Sequence, residues 1–413
     1  MIYVLFILAV FSATFLNSNI STVLGYENNV TTVAFLPLTL FIIIQLMRKK
    51  IVILKKDNNS SRYVLLASIL ILFFKLSYGQ YDMFKTILLF SFIPYTFAMY
   101  LEHASCKEKT VLQNVLIALL VTECLLAVYE RVTLTVLLST EETYSSMNRA
   151  GDTWSFRSSA LFGHPLGNAM LVSVINIYIL SSNLSPLRKI SCFAIAIIAL
   201  LCFNERGNIV ITLATSLPLL IKLYNDASKK FRRKILWVCF PLLLAGVVQL
   251  PQSDLGGRLF NEKSGKQDNS TMARLEALTA FKYLSTSEVL IGGNNLNDKV
   301  ADKMDLAAVE NGIISILLDY GIILGILLLG LLFCFQKDKL RVYPWWNKWL
   351  ILLLFYGIGF TNPHLSNPMQ WFIFVCAYYA FRPNLKNKVY GTSNPQLSSS
   401  ASFLRLNVLS SLN

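Results

Sequence analysis

Long apolar stretches cut by short polar joints run along almost the whole chain. A helix needs about 20 mostly apolar residues to cross a bilayer. Candidate spans fall near 2–18, 30–47, 62–79, 84–101, 110–129, 161–181, 190–204, 208–222, 235–250, 310–334, 346–361 and 369–381. The apolar runs are continuous and do not alternate, which excludes a membrane β-barrel. The pattern predicts an all-α, polytopic membrane bundle of about 12 transmembrane helices. Residues 1–390 then form one bundle domain, and the Ser-rich stretch 391–413 is a disordered tail.

The joints fix an orientation. Arg48–Arg62, Lys107–Lys109, Arg188–Lys189, Lys222–Lys234, Lys337–Lys348 and the tail from Arg382 hold 24 of the 37 Lys and Arg. Only five of the 23 acids accompany them (Asp57, Glu102, Glu108, Asp226 and Asp338). With twelve spans all these joints fall on one side, the cytoplasmic one by the positive-inside rule, and both termini are cytoplasmic. The formal charge of +14 therefore reports topology, and no nucleic-acid partner is implied. The N-terminus shows neither a charged leader nor a small-residue cleavage site, so the first span is expected to be a retained anchor. The seven cysteines fall in spans or on the basic side, so no disulfide framework and no thiolate metal site is expected in the outer loops. No internal repeat stands out, which weighs against inverted-repeat transporters.

Two outer connections are long enough to carry chemistry: 131–160 and 251–309. The first ends in Phe156-Arg157-Ser158-Ser159 and runs through Gly163-His164-Pro165 into a span. In the second, Met272, Leu275, Leu278, Phe281 and Leu284 recur at three-residue intervals, the mark of a short amphipathic helix over 271–284, capped by Asn269 or Ser270. Gly292-Gly293-Asn294-Asn295 then reads as a flexible turn. Seven basic residues face eight acids in 251–309, so anion recognition there must come from individual arginines. In the short turn Glu205-Arg206-Gly207-Asn208, the two charges are expected to pair with each other or with something bound, because charge at the membrane edge is costly when unpaired. Asp298, Asp302 and Asp305 lack calcium-loop spacing and are read as solvated. Tyr343-Pro344-Trp345-Trp346 reads as an interfacial aromatic belt.

These features resemble the O-antigen ligase and polymerase family of membrane glycosyltransferases, over roughly 110–380 and in order and topology more than in any one motif. Arg157 followed by Gly163-His164-Pro165 and Asn168 resembles the family's arginine ahead of a Gly-x-Pro-Asn-like span opening. Arg206-Gly207 resembles its Arg-Gly step between outer helix ends, and Arg258 and Arg274 match arginines of its large periplasmic loop. Glu310-Asn311-Gly312 through Asp319-Tyr320-Gly321 and Gly325 resembles the helix after that loop, with Glu310 where many ligases have His.

The resemblance implies glycan transfer from undecaprenyl diphosphate to an acceptor hydroxyl at the periplasmic face of a bacterial inner membrane, with no metal, cofactor or nucleotide sugar. Such a donor needs preset positive charge around its diphosphate, and guanidinium forks supply it at any relevant pH. Arg157, Arg206, Arg258 and Arg274 are the candidate set, with Glu205, Asn168 and Asn311 in support. Glu310 is the candidate base, and His164 and His364 compete for that role. Asp319, nine residues beyond Glu310, lies about half a turn out of phase with it and is read as a bundle-facing partner.

The expected reaction is polymerisation of lipid-linked oligosaccharide repeat units for a surface polysaccharide. The alternatives are a ligase that moves finished glycan onto lipid A core or another acceptor, and a lipid-linked sugar flippase or transporter. The transport reading predicts ionisable residues lining a path at mid-membrane, where only Lys75, Glu123 and Asp319 qualify. Expected partners are the lipid-linked oligosaccharide, membrane lipid, and a flippase and chain-length regulator of the same pathway.

Overall fold

The structure is a computed structural model that describes residues 2–16, 30–51, 59–81, 83–138, 156–233, 276–293, 295–306 and 309–383. The elements are α1 (Ile2–Phe15), α2 (Val30–Met47), α3 (Asn59–Ser77), α4 (Met83–Glu102), α5 (Cys106–Thr133), α6 (Pro165–Ser181), α7 (Pro186–Phe203) and α8 (Arg206–Asp226). After them come α9 (Thr286–Ile291), α10 (Leu296–Lys303), α11 (Gly312–Tyr320), α12 (Ile322–Lys339), α13 (Trp345–Thr361) and α14 (Pro368–Phe381). No strand occurs among the described residues. Five of these helices, α3, α4, α5, α7 and α8, are long and apolar enough to cross a membrane, and α1, α2 and α6 are shorter apolar helices.

Helix limits follow local chemistry. Ser105 opens α5 with a capping box: its side chain accepts from the Glu108 amide, and the Glu108 carboxylate accepts from the Ser105 amide. Pro165 and Pro368 occupy first turns, where the missing N–H costs nothing. Leu88–Phe92 forms a π-turn inside α4.

All 17 residues of α6 are buried, and nearly all of α14 is. A helix apolar on every side belongs in the middle of a bundle, and α6 touches α5, α7, α8, α13 and α14. Aromatic pairs join α14 to its neighbours: Trp371 meets Phe90 of α4 and Phe355 of α13 edge-on, with ring centres 5.4 and 4.9 Å apart. Thr212 donates to Ser173 at 2.7 Å, tying α8 to α6 through two hydroxyls that have no water to bond.

The expected span 310–334 is not one helix. Gly321 breaks it with φ +80°, and α12 folds back so that its Gly325 lies against Leu317 of α11. Gly321 crosses Gly292 (φ +71°), backbone on backbone: a Cβ on Gly321 would lie 2.2 Å from the Leu290 carbonyl oxygen, and one on Gly292 would lie 2.2 Å from the Gly321 nitrogen. The Gly293 amide donates to Leu318 O at 3.0 Å and Gln80 Nε2 to Gly292 O at 2.7 Å. Gly292-Gly293 is thus a clamp and not the expected flexible turn, because only glycine lets two backbones approach this closely.

Lys75 completes the clamp. Its ammonium donates to Ile291 O and, at 2.8 Å, to Asp319 O, satisfying carbonyls at the C-terminal ends of α9 and α11. Asn297 donates to the Asp319 carboxylate at 2.7 Å and so ties α10 to α11; Glu310 precedes the Asn311 cap, so the expected phase relation between the two acids does not apply.

The described part of the expected short amphipathic helix, Ala277–Tyr283, is a 3₁₀-helix. A repeat of three residues suits its three residues per turn. Its buried residues are Ala277 and Ala280, while Leu278 is half exposed. With Leu296, Val300, Ala301, Val309, Ile314 and Leu318 they form a small second core on α11. Residues 271–275, Asn269, Ser270, the span 235–250 and the tail 384–413 lie outside the described residues.

Glu288 staples α9 to α10. It accepts from Ser285 in a capping box and pairs with Lys299, and these bonds hold its carboxyl down to about 2. A carboxyl lowered in the fold stabilises above its ordinary value near 4.5 and loses that contribution as pH falls toward about 2. Amide exchange over Thr286–Ile291 is therefore expected to quicken as pH falls through that window beyond the intrinsic trend, and Glu288→Gln is expected to remove the excess.

Candidate functional site

The segment 156–164 crosses the ends of α5 and α7 as a strap that turns over 160–163, and the acids of α5 hold its backbone. Glu130 accepts from the amides of Ser159 (2.7 Å), Ala160 (2.9 Å) and Leu137 (3.0 Å). Glu123, one helical repeat earlier, accepts from Leu161 at 3.3 Å. Carboxylate bonds of this kind satisfy strap amides that the bundle shields from water. They also hold Ala160 at φ +41°, a left-handed conformation that alanine resists. Ser158 donates through its amide to Cys202 O and through its hydroxyl to Ala127 O, at 3.2 and 2.8 Å. Phe156 O accepts from Arg131 Nη1 at 2.7 Å and from Asn204 Nδ2 at 3.4 Å.

This strap presents Arg157 to Glu205, the residue that precedes α8. Arg157 Nη2 and Glu205 Oε1 stand 2.5 Å apart, with 15% and 6% of the two side chains exposed. One partner of Glu205 is Arg157, from 48 residues earlier. Nearly dry, the pair aims the guanidinium. Asn168 locks the strap into α6: its Oδ1 accepts from the Phe162 amide at 3.2 Å and its Nδ2 donates to Ser159 O. His164 caps α6, its Nδ1 accepting from the Leu166 amide at 3.3 Å.

The 3₁₀ turn Pro363–Ser366, which carries His364, ties the remaining candidates to this end. Asn362 Nδ2 donates to Leu166 O at 2.8 Å, joining the turn to the start of α6. Gly207 lies against Thr361, so the start of α8, with Arg206, sits beside the end of α13. Gly312 lies so close to the turn that a Cβ there would come within 2.5 Å of Leu365 Cβ and 2.6 Å of Asn362 O. That contact brings in the start of α11, with Glu310 and Asn311. Trp371 Nε1 donates to Leu365 O at 2.7 Å and fixes the turn from α14.

Among the described residues, then, the N-termini of α6, α8 and α11 gather around 361–366, each carrying partial positive charge. Asn311 caps α11 through Oδ1, which accepts from Ile313 and Ile314 at 3.1 Å each. Its Nδ2 is buried with no hydrogen-bond partner among the described residues, and so are both amide atoms of Asn208 in the first turn of α8. An unmet buried donor costs about 1–3 kcal/mol, so this end holds polar groups suited to a polar ligand.

The structure thus brings Arg157, Glu205, Arg206, His164, Asn168, Glu310 and Asn311 to one end of the bundle, together with the turn that contains His364. Arg258 and Arg274 lie outside the described residues. Sequence reading missed Glu130, Arg131 and Asn362 as positioning residues, and Asn208. The signal was the length of α5: 28 residues exceed what a span requires, and Glu130-Arg131 lies in its last turn, buried, and does not start a loop. No group of three or more His, Cys, Asp or Glu among the described residues could hold a metal ion. No family model matches the chain, and neither does any curated protein.

Proposed function

We propose that the protein is a membrane glycosyltransferase that extends a surface polysaccharide by joining repeat units carried on a polyprenyl diphosphate. The observation that carries this reading is the largely buried Arg157 guanidinium, aimed by Glu205 beside Arg206 and three helix N-termini. That arrangement attracts and orients a phosphorylated group without requiring a basic funnel. In this reading the bundle crosses the inner membrane about twelve times, its basic joints face the cytoplasm and the Arg157 end faces the periplasm.

Arg157 and Arg206 hold the donor diphosphate, with Arg258 and Arg274 of the long loop as further candidates. The acceptor hydroxyl oxygen bonds to the anomeric carbon, and the bond from that carbon to the diphosphate oxygen breaks. The electron pair leaves with the diphosphate, where the guanidinium groups and helix dipoles meet the growing charge. Glu310, one residue before the Asn311 cap of α11, takes the hydroxyl proton; His164 and His364 are the other groups on this end suited to that role. Asn168, Glu205 and Asn311 position the strap, the arginine and the helix start.

The reading is tested by reconstituting the full chain in liposomes with a lipid-linked repeat unit. Glycans of two or more units are expected to accumulate on the lipid. Lipid translocation without any elongation would overturn it. A deletion strain separates polymerase from ligase: single repeats on the acceptor support polymerisation, and long chains confined to the carrier support ligation.

A further inference from the structure

About 25 Å from the strap, at the far end of the 17-residue α6, the bundle contains a second, unrelated site. A cavity of about 470 Å³ opens where α6 and α8 finish and α7 and α13 begin. Lys189, from the first turns of α7, and Lys222, near the end of α8, both line it, as does Asp226. No carboxylate oxygen of a described residue comes within ion-pair distance of either ammonium. Lys189 is nine-tenths buried, an unusual place for an ammonium without a counter-charge in contact.

Two further lining groups are unmet. Ser181 Oγ and Asn347 Oδ1, on residues 6% and 7% exposed, are buried with no hydrogen-bond partner among the described residues. Besides the ends of α6 and α8 and the starts of α7 and α13, Val342 and Pro383, which follow α12 and α14, complete the lining. Among its charged side chains, the buried Lys189 and the exposed Lys222 stand against the exposed Asp226, a net charge of one positive. The remaining wall is apolar, with Leu219 and Leu223 prominent. Trp345 and Trp346, 62% and 70% exposed at the start of α13, place this level at the headgroup region of a bilayer.

We infer that this cavity binds the headgroup of an anionic glycerophospholipid, a phosphodiester bearing free hydroxyls. The phosphodiester's single negative charge matches the net charge of the site, whereas a phosphomonoester carries about −1.5 to −2. Headgroup hydroxyls donate to Asn347 Oδ1 and Ser181 Oγ, and the acyl chains lie along the leucine wall. Basic pockets between transmembrane helices on the positive-inside face suit this class of lipid. The site is independent of the glycosyl-transfer reading.

The test is native mass spectrometry of the full chain released from nanodiscs that contain phosphatidylglycerol and phosphatidylethanolamine, with inorganic phosphate as a separate soluble probe. Retained phosphatidylglycerol is expected in preference to phosphatidylethanolamine, and Lys189→Gln and Lys222→Gln are each expected to reduce it by about tenfold, the loss of one charge-assisted contact. Asp226→Asn is expected to increase retention several-fold, a direction that misfolding does not produce. Unchanged retention in all three variants would overturn the site. Equal retention of phosphatidylethanolamine, or inorganic phosphate displacing the lipid at millimolar concentration, would overturn its assignment to this lipid class.

Discussion

Arg157→Ala is expected to reduce glycan elongation by about 100- to 1000-fold, the scale seen when one preset donor to a developing negative charge is removed. Two effects are combined in that variant and can be separated. Removing the cation beside Glu205 leaves a side chain only 6% exposed without that partner, which destabilises by up to about 3–5 kcal/mol in a dry site. Arg157→Ala combined with Glu205→Gln removes both charges, so its melting temperature is expected to return toward that of the parent while elongation stays lost. Arg157→Lys keeps the charge without the planar fork and is expected to be nearly as inactive as the alanine variant. If the double variant elongates at the parental rate, Arg157 is a structural strut and the donor-binding role fails.

Gly321→Ala is expected to have the largest effect on stability, about 2–4 kcal/mol, because two independent penalties fall on one methyl group. The residue sits at φ +80°, and the new carbon would lie 2.2 Å from Leu290 O and 2.7 Å from the Leu290 carbonyl carbon. Those neighbours are backbone, so no rotamer change relieves the contact. The backbone must part, and α9 and α10 lose their hold on α11 and Lys75. Thermal unfolding in detergent measures the loss, and proteolysis localises it: cleavage within 284–306 is expected to precede unfolding of α6. A variant that melts with the parent and resists cleavage equally would show that the clamp does not bear load.

Much of this fold can be read from local chemistry. Pro165 and Pro368 sit near the starts predicted for their helices, and Ser105 with Glu108 marks the true start of α5, four residues before the predicted one. The break at Gly321 was hidden because long apolar runs flank Asp319-Tyr320-Gly321 on both sides, and hydropathy does not sense a change of direction. Residues 277–283 were legible as a short helix from their three-residue apolar repeat, which matches the 3₁₀ turn they form. At the candidate site, the strap's Arg157 and the Glu310-Asn311 helix start stood out by residue type. The pairing of Arg157 with Glu205 did not, because nothing near either residue encodes a partner 48 positions away. Glu130 shows the same limit: at the end of a helix an acid reads as solvated unless the chain that covers it is known.

The complete enclosure of α6 bears on how the chain is assembled. Segment 165–181 is made before the chain's midpoint, yet two of the helices that cover it, α13 and α14, come from 345–381. Until those residues leave the ribosome, the middle of the protein is a half-lined trough with its hydroxyls and amides, Ser173 and Asn176 among them, facing lipid or a chaperone. Closure is thus a late, long-range event. Truncation before residue 381 removes part of the wall itself, so shortened products are expected to be cleared by membrane proteases rather than to persist as smaller bundles.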